Sequence, residues 1–138
     1  MMYDEELVEP MRRELTNLGI LEARTAAEVD KHLTQEKGTV MVVVNSVCGC
    51  AAGMARPAVN YAMRHDKIPA KSITVFAGND AEATARARSY FTGYQPSSPS
   101  IALLKEGEVV FMLERHNIAG RSAEDIGMEL KEAFNTFC

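Results

Sequence analysis

Cys48 and Cys50 stand one residue apart in the stretch NSVCGCAAG, residues 45–53. Two thiols at that spacing have three chemical readings: a redox pair, two ligands of a metal ion, or small buried side chains with no chemistry. A structural zinc site takes four Cys or His ligands. The other candidates, Cys138, His32, His65 and His116, are scattered without ligand spacing, and no metal site is assigned. Redox chemistry needs a thiolate, because that is the nucleophilic form. The residues around the pair supply a reason for one. Cys48 follows the apolar run Val40–Val44, which reads as a strand ending near Asn45. Cys50 opens a stretch of helical composition. A thiol at a helix start meets unpaired backbone N–H groups and the positive end of the helix dipole, and both favour ionisation. Cys50 is near enough to attack a mixed disulfide formed on Cys48. A disulfide across one residue closes a small ring in which preferred geometry is hard to reach. Gly49 is expected to supply the backbone freedom, and the strained bond is expected to be oxidising and easily reduced.

The elements that must hold this pair can be read along the chain. Leu7, Val8, Met11, Leu15 and Leu18 repeat at helical spacing from Asp4 to about Leu18, with Pro10 in the first turn or splitting the segment. Its acidic and basic residues read as a solvated face. A second helix runs from about Ala26 to Gln35, with Thr25 as N-cap and Glu28 three residues on. Thr39–Val44 and Ser72–Ala77 read as buried strands, joined through a helix from Cys50 to about Arg64. Asp80 reads as the cap of a helix reaching to about Phe91. Ser100–Leu104 and Val109–Leu113 form a hairpin around Lys-Glu-Gly-Glu, and Ser122 opens a last helix to about Phe137. The order from Thr39 onward is β-α-β-α-β-β-α. The first β-α-β unit makes its two strands parallel. The expected architecture is a three-layer α/β sandwich with a mixed central sheet of about four strands and two extra N-terminal helices.

The 138 residues fit one domain, 1–138, with enough chain to bury a core. Apolar residues make up 46% and charged residues 25%, which excludes a disordered chain. Fifteen Lys and Arg stand against nineteen Asp and Glu, a net charge of −4. That balance argues against a nucleic-acid or anionic-membrane partner. The start, MMYDEELVEP, lacks the basic and apolar regions of a secretory signal, so a cytoplasmic location is expected. Thiols there are kept reduced, which favours catalytic over structural use of a close pair. Cys138 reads as a free thiol on a frayed end.

With these elements in place the chain resembles thioredoxin: the same strand and helix order, cysteines opening the first helix, and a proline beginning the next-to-last strand. The matching stretch is SSPSIALLKEGEVV, which puts Pro99 in the place of the proline that is cis in that superfamily. Pro57 resembles its helix-kinking proline. More narrowly, VVVNSVCGCAAGMARPA, TVFAGNDAEATARAR and YFTGYQPSSPSIALLKEGEVV resemble the bacilliredoxin family, as do VEPMRRELTNLGI, RHNIAG and the terminal FC. The family departs from thioredoxin in using Cys-x-Cys. The Trp that commonly precedes the thioredoxin motif is absent, as is every Trp.

The resemblance implies a thiol–disulfide oxidoreductase that removes bacillithiol, a small thiol used by some bacteria, from S-bacillithiolated client proteins. Cys48 attacks the bacillithiol sulfur, and a second bacillithiol or Cys50 clears the adduct. No bound cofactor is implied; bacillithiol is the co-substrate. Weak disulfide isomerase activity is a further implication. Ser98, before Pro99, is expected to turn its backbone toward the cysteines and pair with an extended substrate. Arg115 follows the last strand and is a partner for bacillithiol carboxylates. His116 is a candidate for moving protons. Asn45 and Ser46 are candidates for polarising or capping the cysteine loop.

Overall fold

The protein is described from a computed structural model covering residues 2–138, so Met1 of the expected domain lies outside it. The elements run α1 (Glu5–Thr16), β1 (Leu21–Glu22), α2 (Ala26–Gln35), β2 (Thr39–Asn45), a π-helical turn (Ala51–Ala55), α3 (Arg56–Ala62), β3 (Lys71–Phe76), α4 (Ala81–Ser89), β4 (Ser100–Lys105), β5 (Glu108–Leu113), α5 (Arg115–Ile118) and α6 (Ala123–Phe137). The sheet has five strands, one more than the sequence pattern predicts, in the order β1-β3-β2-β4-β5. The additional strand is the two-residue β1, parallel to β3 through Leu21 and Glu22 opposite Ile73 and Thr74. β2 pairs in parallel with β3 and antiparallel with β4, and β4 continues antiparallel to β5.

Every residue of β2 is buried, because helices cover both faces of the sheet. On one face Met41, Val43, Ile101 and Leu103 pack with Leu15 of α1, Ala58 and Val59 of α3, and Leu130 and Phe134 of α6. On the other, Val40, Val42, Val44, Ile73 and Val75 pack with Val29 and Leu33 of α2 and Ala83 and Ala87 of α4. The hairpin between β4 and β5 turns on Glu106 and Gly107, both at positive φ, 51° and 80°. That is the backbone sense matching the twist of paired strands.

The expected caps of α2 and α6 form: Thr25 accepts from the Glu28 N–H and Ser122 from the Asp125 N–H, each at 3.1 Å. Pro10 neither opens nor splits α1. The helix runs through it, forgoing one backbone donor.

Asp80 stands at the N-cap of α4, as expected, but its side chain accepts no N–H of that helix. One reading is corrected: the charged face of α1 is not wholly solvated. Arg12 is only 3% exposed. Its guanidinium grips Asp80 through two bonds, at 2.8 and 2.9 Å, while Nε donates to Glu5 at 2.7 Å and Nη1 to Glu22 at 2.8 Å. The Phe76 ring lies 5.2 Å beneath. Burial works against the Arg12 charge, but the bonds to Asp80 and Glu5 outweigh it and hold the pKa above its ordinary value. Asp80 completes the tie by accepting the Phe76 N–H at 3.0 Å. One cation thus fastens α1 to β1 and to the loop after β3.

Candidate active site

Cys48 and Cys50 lie where the C-terminal end of β2 meets the start of β4, because β4 runs back antiparallel from Ser100 opposite Val44. All three cysteines are free thiols. Cys48 is half-buried in the turn. Its carbonyl accepts the N–H groups of Ala51 and Ala52, at 2.9 and 3.1 Å, which closes the turn against the helix. Its Sγ accepts the Cys50 N–H at 3.3 Å. Partial burial pushes the Cys48 thiol up. It is outweighed by hydrogen bonds from the Cys50 backbone and thiol, by the positive Arg115, and by the Ala51 N–H, so the net direction is down. The alkylation rate of Cys48 by a neutral reagent is therefore expected to stay high below the range of a free cysteine, about pH 8.5. It falls only as pH drops through the lowered value. Arg115→Met removes a lowering influence and moves the midpoint upward, read by mass spectrometry of alkylated Cys48 against pH.

The helix behind the cysteines begins as a π turn. The Arg56 N–H reaches the carbonyl of Ala51, five residues back, before α-helical bonding resumes. Pro57 sits just past that change, in the first turn of α3. A wider turn accommodates a ring that would crowd the carbonyl four residues before it.

Gly49 is exposed, has no positive φ, and a Cβ there would meet open space. The dithiol form thus makes no backbone demand for glycine; the expected demand belongs to the disulfide form. Asn45 is buried; its Oδ1 accepts from the Ser46 N–H and from Arg56, both at 2.9 Å, while its Nδ2 donates to the Met11 carbonyl at 3.1 Å. The Ser46 hydroxyl accepts the Cys48 N–H at 3.3 Å. Both side chains therefore hydrogen-bond within the segment that enters the cysteine turn.

Arg56 is the residue that sequence reasoning missed. It is 3% exposed, donates to Asn45 Oδ1 and to the Ser46 carbonyl at 2.9 Å each, and faces Glu14 of α1 at 3.1 Å. The hub ties α1 and α3 to the segment entering the cysteine turn. Arg56→Met takes the donor from the buried Ser46 carbonyl and leaves Asn45 Oδ1 with the Ser46 N–H alone, and is expected to lower stability by about 1–3 kcal/mol. Arg56→Lys keeps the charge but loses the fork, with a smaller loss. Urea denaturation of the two variants checks the order.

The Ser98–Pro99 peptide is cis. Ser98 lines a cleft of about 350 Å³ together with Ser46, Cys48, Gly78, Arg115 and Tyr3. The Ser98 carbonyl is engaged by Arg115 Nη1 at 3.4 Å, and the Ser97 hydroxyl accepts the Arg115 N–H at 3.3 Å. Arg88 braces the same loop by donating to the Ser97 carbonyl at 3.3 Å. Arg115 thus joins the site. His116 does not line the cleft; its ring is largely exposed and lies 3.5 Å from Glu114.

Cys138 stands at the far end of the sheet, where its Sγ accepts the Thr39 hydroxyl at 3.1 Å. The seven residues of β2 put about 20 Å between that end and the cysteine turn. Cys138 is an exposed free thiol at the C-cap of α6, its N–H reaching the Phe134 carbonyl at 2.8 Å. Among the described residues no three Cys, His, Asp or Glu side chains gather as a ligand set. Among them, too, no helix is long and apolar enough to cross a membrane.

A half-buried thiol held acidic at a helix start, sharing a cleft with Ser98 of the cis Ser98–Pro99 peptide that leads into antiparallel β4, defines a thiol–disulfide oxidoreductase of thioredoxin fold. The fold is similar to reduced thioredoxin of Schistosoma mansoni, with a TM-score of 0.59 and 18% identity over 86% of this chain and 98% of that one. It is equally similar to thioredoxin of Fasciola hepatica, TM-score 0.59 and 16% identity, over 86% and 100%. A family model described as Disulphide isomerase matches residues 3–138. A bacilliredoxin of Koribacter versatilis is 56% identical over 137 residues, covering 99% of this chain and 94% of its own. One from Halalkalibacterium halodurans is 53% identical over 136 residues, covering 99% and 93%. The chain belongs to the bacilliredoxin family.

Proposed function

We propose that the protein reduces mixed disulfides between client proteins and bacillithiol in the cytoplasm, with residues 1–138 acting as one domain. The observation that carries this reading is the Cys48 sulfur, held toward thiolate by the Cys50 N–H and Arg115 at the edge of an open cleft. Cys48 attacks the bacillithiol sulfur. A new S–S bond forms on Cys48, the old one breaks, and the client leaves as a thiolate that takes a proton from water. The adduct is cleared by a second bacillithiol, or by Cys50, whose N–H already reaches the Cys48 sulfur. Asn45 and Ser46 hold the turn, Ser98 walls the cleft it faces, and the cis bond to Pro99 sets the course of that wall into β4. Arg115 supports binding of a carboxylate. His116, exposed and paired with Glu114, serves proton movement only if the loop carries it to the cleft. The protein works without a metal or prosthetic group.

The test is mass-resolved transfer from a bacillithiolated client to the whole chain. The expected result is a free client thiol and a bacillithiol adduct on Cys48. Absence of transfer under conditions where scrambled disulfides are turned over would replace this reading with that of a general disulfide isomerase. That second reading is favoured by the description of the matching family model.

A further inference from the structure

The segment leading into the cis Ser98–Pro99 peptide is not held by main-chain bonds. α4 ends at Ser89, and two open turns follow: the Phe91 N–H meets the Arg88 carbonyl at 3.0 Å and the Tyr94 N–H meets the Phe91 carbonyl at 3.1 Å. From Gln95 to Ser98 no backbone group bonds another, and pairing with β2 begins only at Ser100. Ser97 and Ser98 are half-buried, so their polar groups need partners. Two arginines supply them. Arg88 Nη2 donates to the Ser97 carbonyl at 3.3 Å, and Arg115 Nη1 to the Ser98 carbonyl at 3.4 Å. The Ser97 hydroxyl in turn accepts the Arg115 N–H at 3.3 Å.

Arg88 stands outside the cysteine cleft, in the last turn of α4. It is half-buried and lines a small cavity of about 30 Å³ with Phe91, Ser97 and Glu114. Among the described residues no carboxylate lies within 4 Å of its guanidinium. Glu114 is committed to capping α5 and to His116. The Arg88 Nε is enclosed without a hydrogen-bond partner, and burial pushes the pKa of the side chain down with no opposing charge to hold it. A methionine would cover the same surface without stripping water from a cation. What the guanidinium adds is the donor to Ser97.

We propose that Arg88 is a positioning residue of the exchange at Cys48. By holding the Ser97 carbonyl it fixes the residue whose hydroxyl receives the Arg115 N–H, and so sets where the Arg115 guanidinium and the Ser98 carbonyl stand. Ser98 walls the cleft in front of the sulfur, and the Arg115 charge favours its thiolate. A tie at the end of α4 thus acts on Cys48 through Ser97 and Arg115 without touching it. The charged and titratable groups facing Cys48 are Cys50 on the helix side, Arg115 after β5 and Tyr3 before α1. Of these, Arg115 is bonded to the Ser97 that Arg88 holds. The proposal rests on thiol–disulfide exchange at Cys48, not on which disulfide is exchanged.

The experiment uses the full chain carrying Cys50→Ala, so that one sulfur is read at the site. The first readout is alkylation of Cys48 by a neutral reagent against pH, followed by mass spectrometry. The second is the rate of exchange with a client cysteine capped with 2-mercaptoethanol, at a pH where Cys48 is thiolate in every variant. Arg88→Met is expected to raise the alkylation midpoint in the same direction as Arg115→Met, because the Arg115 charge is no longer fixed near the sulfur. The double variant Arg88→Met/Arg115→Met shifts no further than Arg115→Met alone, as two residues acting in series should. Exchange by Arg88→Met slows about fivefold, the scale of one lost hydrogen bond, with no change of protonation to account for it. Arg88→Lys restores a donor and brings the exchange rate to within about twofold of the parent. Ser97→Ala removes the hydroxyl alone and also raises the midpoint.

A midpoint and an exchange rate equal to the parent's in Arg88→Met would overturn the proposal, even if the melting temperature falls, and would leave Arg88 a brace of the fold alone. Shifts that add in the double variant would overturn it as well, because Arg88 would then act as a separate charge and not through Arg115. If Arg88→Met does not fold, Ser97→Ala decides: a raised midpoint supports the series and an unchanged one overturns it. A bacillithiol-capped client run beside the first keeps the two readings apart. Its failure alone removes that substrate and leaves the Arg88 result standing on the other client.

Discussion

Cys48→Ser is expected to lower client release to the rate of uncatalysed exchange. A serine hydroxyl is not ionised by two or three hydrogen bonds at neutral pH, and no other thiol stands in its place. Cys50 lies on the helix side of the turn, and Cys138 is at the opposite end of β2. Cys50→Ser has a different signature. The client is still released once, but the adduct on Cys48 accumulates until a small thiol removes it. Cys50 also donates to the Cys48 sulfur through its thiol, so removing that donor in Cys50→Ala raises the Cys48 midpoint while the backbone bond remains. Time courses of free client and of adduct mass separate the two variants. Adduct formation on Cys48→Ser would assign the attacking role to Cys50 and reverse the scheme.

Arg12→Met is expected to destabilise the fold by about 3–5 kcal/mol, the cost of leaving one side of a buried ion pair uncompensated. The residue left behind is Asp80, whose side chain is only 5% exposed. For a chain of this length the melting temperature should drop by roughly 10–15 °C. Acid dependence gives a second check. Glu5 is held below its ordinary carboxylate value, first by its hydrogen bond from Arg12, against the opposing effect of burial. A depressed acid adds stability that is fully present above its unfolded value and is lost as pH falls through its folded value. The wild-type stability should decline across that window, and Arg12→Met should decline less. Calorimetry at several pH values reads both effects. A melting temperature within 3 °C of wild type would mean that α1 is held by its apolar face alone.

The sheet's central strands were legible because Val40–Val44 and Ser72–Ala77 are apolar and β-branched over strand length. β1 was not, since two residues held by pairing to β3 leave no periodic trace. The cysteine turn was legible from its place between strand and helix. The buried cations were not. Arg12 lies on a helix whose charges have the composition of a solvated face, and Arg56 opens a short helix with no pattern that marks it as buried. Arg12 reaches Asp80 across 68 residues. Asp80 precedes a helix, as an N-cap should, but a bidentate guanidinium competes for the same carboxylate. Arg115 entered through its position after the last strand. Tyr3 had no signal, because only the loop after β3 brings it to the cleft.

The site is assembled from chain segments that are far apart. Cys48 follows β2, whereas Ser98, Pro99 and Arg115 frame β4 and β5. In a chain synthesised from its N-terminus, the nucleophile is exposed well before the residues that wall it and add to its acidity. Until β4 pairs with β2, Cys48 has its neighbouring N–H groups but neither Arg115 nor a cleft. The growing polypeptide thus carries a thiol closer to an ordinary one, and the Arg115 charge that lowers it arrives with the last third of the molecule. Thiol acidity is in this sense a report on whether the antiparallel half of the sheet has closed.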